Sequence, residues 1–96
     1  METQDHVLVV DDDAEIRNLL REYLQKNGFR VTLAAEGKAM WSTLEHATPD
    51  IVILDLMLPG DDGLTLCRDL RARSSLPVIM LTARGEETDR IVGLEM

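Results

Sequence analysis

"DIVILD", residues 50–55, runs apolar from Ile51 to Leu54 between two aspartates. A strand with one wet face alternates apolar and polar side chains. An unbroken apolar run instead implies burial on both faces, as at the centre of a parallel sheet. Such a strand needs helices above and below it, and its neighbours supply them. Before it, "GKAMWSTLEHA" (37–47) turns Met40, Leu44 and Ala47 to one side and is ended by Pro49. After it, the breaker-rich loop "LMLPGDDG" leads into "LTLCRDLRARS" (64–74), with Leu66, Cys67 and Leu70 inward at helical spacing.

Further out the alternation continues. "HVLVV" (6–10) is a second apolar run, and the helix after it places Ile16, Leu19, Leu20, Tyr23 and Leu24 on one face. Gly28 stands where a glycine C-cap ends a helix. "RVTLA" (30–34) and "LPVIMLT" (76–82) read as strands, and "GEETDRIVGLEM" (85–96) as the start of a fourth helix carrying Ile91, Val92 and Leu94. Strands and helices in strict alternation predict an α/β fold, a doubly wound parallel sheet with helices on both faces. Such sheets bind ligands at the carboxyl ends of their strands.

The 96 residues, 45% of them hydrophobic, allow one small core. Tyr23, Phe29 and Trp41 are the only aromatics, so that core is aliphatic. A net charge of −8 argues against direct nucleic-acid binding and suits cations or basic partner surfaces. Cys67 is the single cysteine, which rules out an internal disulfide and makes a reducing cytosol the default. "METQDH" has none of the regions of a signal peptide. No apolar run approaches the ~20 residues of a membrane span. A cytoplasmic domain without membrane contact is expected.

Polar residues at the strand ends carry the chemistry. The first run stops at Asp11 and Asp12, the second at Ala35 and Glu36, the third at Asp55, and the fourth at Thr82 and Ala83. If the first and third strands are neighbours, ~4.8 Å apart, Asp11, Asp12 and Asp55 converge on one cleft. Carboxylates ~5 Å apart repel by roughly 3 kcal/mol per pair at an effective dielectric near 20. A hard divalent cation such as Mg²⁺ relieves that repulsion. With a hydroxyl from Thr82 and a glycine-rich loop, the set suits metal-assisted phosphoryl transfer. Plainer roles compete. Asp13, or Asp12, serves equally as the N-cap of the first helix. Asp55 alone reads as a turn residue and Thr82 as a strand terminus. "DDG" (61–63) reads as turn chemistry, and Cys67 and the methionines as core fillers. His6 and His46 are expected at the surface, and "RDLRAR" (68–73) as a solvated helix face.

Taken together, "VLVVDDD", "DIVILDLMLPGDDG", "PVIMLTA" and "DRIVGLE" resemble, in order and at family spacing, the receiver domain of two-component response regulators. The resemblance is to the winged-helix transcription-factor branch. It implies a flavodoxin-like sheet of order 2-1-3-4-5, with Asp55 as phosphoacceptor for a sensor histidine kinase. Asp12 and Asp55 would ligate Mg²⁺, with the Met57 backbone carbonyl as a further ligand and Asp11 holding metal-bound water. Thr82 would be the switch hydroxyl, and Ala83 leaves the approach to Asp55 open. The family's fifth strand with its lysine, the switch aromatic and the fifth helix have no counterpart in these residues; no lysine follows Lys38. Of the receiver–receiver dimer surface only Asp89, Arg90 and Glu95 remain. The expectation is an incomplete receiver domain over 1–96, first strand to fourth helix, with its DNA-binding domain outside this sequence. "PVIML" would then be an exposed apolar edge prone to self-association.

Two other readings stand beside it. A haloacid-dehalogenase-like phosphohydrolase would use Asp11 as nucleophile, Asp13 as acid/base and Thr82 at the second strand end. It gives "DLMLPGDDG" no role and lacks its later lysine and acidic pair. A flavin or nucleotide module of the same topology would want glycines and helix N-termini, not clustered acids.

Overall fold

The computed structural model describes residues 5–58, 61–84 and 89–95, with 57, 61, 62, 82–84 and 89–95 described by backbone alone. Its centre is β3 (Ile51–Asp55), with β1 (His6–Val10) and β6 (Val78–Arg84) on either side and β2 (Arg30–Ala34) beyond β1. These four strands are parallel. α1 (Ala14–Lys26), α2 (Gly37–His46) and α3 (Gly63–Arg73) make the crossovers, and a two-stranded hairpin, β4 (Met57–Leu58) with β5 (Asp61–Asp62), precedes α3. Parallel neighbours in the order β2-β1-β3-β6, wound by helices, are the flavodoxin-like arrangement that the resemblance implied.

The sheet divides the core into two layers because successive strand residues face opposite ways. Val7, Val9, Ile53 and Leu81 meet Leu20, Leu24 and Phe29 on the α1 side. Leu8, Val10, Met40, Val52, Leu54, Leu66, Cys67, Leu70 and Val78 form the larger layer with α2 and α3. All of β1 is buried, and Leu8, Val9, Val10, Val52 and Leu54 are fully enclosed. Each such side chain contributes about 1.5–3 kcal/mol relative to exposure. This double-sided burial accounts for the unbroken apolar runs.

α1 starts where the Asp13 carboxylate accepts from the Glu15 and Ile16 N–H groups, at 2.9 and 3.3 Å. It ends where the Asn27 side chain donates to the Tyr23 carbonyl and Gly28 takes φ +93°. Its packed face is narrower than its spacing suggested. Leu20 and Leu24 pack on the sheet, whereas Leu19 and Tyr23 are 62% and 65% exposed. Each step along a helix rotates about 100°, so these two fall beside the Leu20–Leu24 ridge.

Two further expectations are corrected. His6 is buried, because β1 has a strand on each side and its first residue is already covered. Its Nε2 lies 2.7 Å from the Thr32 hydroxyl. The segment read as a fourth helix instead forms β7 (Asp89–Glu95), antiparallel to β6 with Thr82 opposite Ile91. Adjacent β-branched Ile91 and Val92 favour a strand, and Gly93 disfavours a helix. The open edge of β6 offers unpaired backbone groups that β7 satisfies. β6 is therefore not a bare edge, and Asp89, Arg90 and Glu95, expected as the remnant of a dimer surface on a helix, lie on a strand.

Candidate functional site

Strand register brings the acids together. Val10 pairs with Leu54 across β1 and β3, so the residues that follow them, Asp11 and Asp55, emerge side by side at the carboxyl ends. Asp11, Asp12 and Asp55 each present a carboxylate oxygen, and all three oxygens lie within 4.8 Å of one another. Asp11 is fully enclosed, Asp55 is 2% exposed, and Asp12 stands at the solvent side.

The turn carrying Asp11 and Asp12 is fixed at several points. The Asp11 N–H donates to the Ala34 carbonyl at the end of β2 (3.1 Å). Its Oδ1 accepts from the Asp13 N–H at 2.9 Å, and its backbone carbonyl accepts from Arg17 Nη1 at 2.7 Å. Asp13 is thereby placed as the helix cap, with its carboxylate spent on α1.

On the other strand, Asp55 pairs in register with Leu81 of β6, and the Leu56 N–H donates to the Leu81 carbonyl at 3.1 Å. Thr82 and Ala83 continue β6 directly past that pairing; their side chains lie outside the described residues, as does that of Met57 on β4. Gly63, first residue of α3, donates from its N–H to the Leu56 carbonyl at 3.2 Å. A Cβ there would stand 2.4 Å from the Leu56 Cα and 2.6 Å from the Asp55 carbonyl oxygen. Only glycine lets α3 begin this close to the loop after Asp55. The "DDG" tract is thus more than a turn: β5 pairs with β4, and its glycine packs under the site.

A hard cation fits this donor set. Oxygens bound to one Mg²⁺ at about 2.1 Å lie about 3 Å apart when adjacent and about 4.2 Å apart when opposite. Three carboxylates within 4.8 Å match two direct ligands with a third acting through water. Sequence reasoning passed over Arg17 and the packing role of Gly63. A lone basic residue six places after the first acid of a triplet was the available signal for Arg17.

Comparison with known proteins agrees with this geometry. Residues 7–96 match the response regulator receiver domain family. Over 93 residues the chain is 50% identical to protein PetR of Rhodobacter capsulatus, covering 94% of this chain and 38% of that protein. The sensory transduction protein RegX3 of Mycobacterium tuberculosis is 49% identical over 90 residues, covering 94% of this chain and 40% of its own length. The chain thus spans about two fifths of the length of these relatives. Among solved structures, response regulator protein TrrA from Thermotoga maritima in complex with Mg(2+)-BeF superposes with a TM-score of 0.80. Its identity is 35%, over 85% of this chain and 72% of that one.

Proposed function

The chain belongs to the response regulator receiver domain family, and from that membership we propose that Asp55 is its phosphoacceptor, working with Mg²⁺ held by Asp12 and Asp55. The observation that carries this is the convergence of three carboxylates at the ends of adjacent parallel strands. In the proposed step, an Asp55 carboxylate oxygen forms a bond to the phosphorus of a kinase phosphohistidine. The P–N bond breaks and the imidazole leaves with its electron pair, giving an acyl phosphate on Asp55. When bound, Mg²⁺ supplies neutralisation of the phosphoryl oxygens and of the acids around them. Asp11, enclosed and tethered, would orient water on the bound ion, and the Met57 carbonyl on β4 would be a further ligand.

The Thr82 hydroxyl is the group that meets the new phosphoryl oxygens, and small Ala83 leaves their approach open. Since Asp55 is 2% exposed, the surrounding loops must give way to admit a phosphoryl group, which couples the charge at the site to backbone position. The domain is read as a signal-receiving acceptor rather than a turnover enzyme. A sensor histidine kinase as donor, receiver–receiver pairing and DNA binding by another domain are proposals for the whole protein. So is a cytoplasmic location; no described helix is long and apolar enough to cross a membrane.

The test is to incubate the protein with Mg²⁺ and a small-molecule phosphodonor and map the labelled residue. Label on Asp55, absent without Mg²⁺ and absent in Asp55→Asn, is the expected result. Label on Asp11, or label persisting in Asp55→Asn, refutes it.

A further inference from the structure

We propose that Arg17 is a positioning residue for cation binding, acting through the backbone of the β1–α1 turn; this rests on the Mg²⁺ reading above. Arg17 lies in the second half of the first turn of α1, and its own N–H is bonded to the Asp13 carbonyl at 3.0 Å. Long helical side chains lean toward the helix N-terminus, which brings its guanidinium back over the turn. There Nη1 donates to the Asp11 carbonyl at 2.7 Å, a short charge-assisted bond in a half-buried setting.

The bonded carbonyl matters because of what shares its plane. The Asp11 C=O and the Asp12 N–H belong to one rigid peptide unit, so fixing the carbonyl direction fixes the plane from which the Asp12 side chain departs. Asp11 is already held by burial and by its bonds to Ala34 and Asp13. Asp12 is exposed and has no such packing, so its aim toward Asp55 depends on that peptide. Arg17 thus acts from outside the carboxylate cluster on the one acid of the three that solvent reaches. Its charge also repels an arriving cation, so positioning and repulsion push metal affinity in opposite directions. That opposition makes the role measurable.

The experiment is titration calorimetry of the whole protein with Mg²⁺ alone, for wild type, Arg17→Met, Arg17→Lys and Asp12→Asn, with unfolding midpoints in a chelator. Outer partners of metal ligands typically govern 10–100-fold in affinity, so Arg17→Met is expected to weaken Mg²⁺ binding about 10-fold, with Arg17→Lys recovering to within about 3-fold. A change in stability with unchanged Mg²⁺ affinity, or tighter binding in Arg17→Met, overturns the proposal. Should Arg17→Met fail to fold, Arg17→Gln, uncharged and shorter, carries the same expectation. Wild-type protein that binds no Mg²⁺ overturns the site reading and this inference together. Wild-type binding that is lost in Asp12→Asn but matched by Arg17→Met overturns the inference alone.

Discussion

Replacing Gly63 by alanine tests how closely the fold and the site are joined. The added methyl would meet the Leu56 Cα at 2.4 Å, the Asp55 carbonyl oxygen at 2.6 Å and the Leu56 carbonyl oxygen at 2.8 Å. Ordinary contact begins at 3.4 Å, so the shortest approach is a full ångström too near. All three atoms are backbone, and no side-chain rotation relieves them. Either α3 retreats from the β3–β4 loop, breaking the 3.2 Å bond from the Gly63 N–H to the Leu56 carbonyl, or the loop after Asp55 moves. Overpacking of this kind costs about 1–3 kcal/mol, and the rigid neighbours put Gly63→Ala near the top of that range. Alanine's better helix propensity returns at most about 1 kcal/mol, less at a first helical position. A net loss of about 2 kcal/mol in urea unfolding is expected, equivalent to roughly 8–16 °C in Tm for a domain of this size. Mg²⁺ affinity should fall with it where the loop after Asp55 moves and hold where α3 retreats, so titration tells the two apart. Gly28→Ala is the control: its Cβ would meet nothing within 4 Å, and only its φ of +93° is disfavoured. That variant should lose about 1–2 kcal/mol with Mg²⁺ binding intact. A Gly63→Ala protein within about 0.5 kcal/mol of wild type, the range of unremarkable surface changes, would refute the packing argument.

Other outcomes follow from single contacts. Asp13→Ala removes the α1 cap and should cost about 1 kcal/mol by chemical denaturation. It should leave phosphodonor labelling of Asp55 unchanged, and a labelling defect beyond the stability loss would count against the capping role. His6 has no hydrogen-bond partner for its Nδ1 among the described residues, and burial first, then Arg30, lowers its pKa from 6.5 while Asp50 opposes the shift. The folded state therefore takes up this proton less readily than the unfolded chain. The resulting stability is full above pH 6.5 and is lost as pH falls toward the depressed folded value. His6→Gln should flatten the unfolding midpoint between those limits, and an unchanged slope would show that His6 is not responsible. The Arg73 guanidinium stands 4.5 Å from the ring centre of Trp41. Arg73→Ala should cost roughly 0.5–1 kcal/mol and shift the emission of the single tryptophan to longer wavelength; unaltered emission would argue against the stacking.

What the sequence made legible depended on how local the cause was. "HVLVV" and "DIVILD" announce buried parallel strands because burial on both faces leaves no polar residue in the run, and the acids that stop them are then forced to the sheet's carboxyl edge. Asp13 as a cap is equally local, a residue bonding donors two and three places on. The misread parts have distant causes. Whether Leu19 and Tyr23 are covered depends on what else packs on α1, which spacing along one helix does not encode. The segment 89–95 carries both a helical and a strand pattern, and the unpaired edge of β6 decides between them. His6 has the composition of a surface residue and the position of an interior one, because β1 is flanked on both sides. Gly63 and Arg17 act on backbone atoms six or seven residues upstream, across a hairpin and around a helix start. No periodicity marks such contacts.

The acidic site is thus in tension with the fold that makes it. The register that buries Val10 against Leu54 also sets Asp11 beside Asp55, so the repulsion cannot be relaxed without sliding β1 past β3. A slip of one residue would turn every side chain of β1 to the opposite face, exchanging Leu8 and Val10 with Val7 and Val9 between the two core layers and spoiling the packing of both. The fold therefore holds the three carboxylates within 4.8 Å at a cost set by its own packing. A divalent cation relieves that cost in the folded state alone, because the unfolded chain separates Asp11 from Asp55. Phosphorylation of Asp55, as proposed, would reverse the relief by adding charge: an acyl phosphate brings about two negative charges where the carboxylate carried one. With the strands locked by burial, the response to that added charge would fall on the segments outside the sheet that border Asp55: the β1–α1 turn bonded by Arg17 and the β3–β4 loop resting on Gly63. On the proposed function, electrostatic stress at Asp55 would be taken up in those two segments, because the sheet beneath them is packed on both faces.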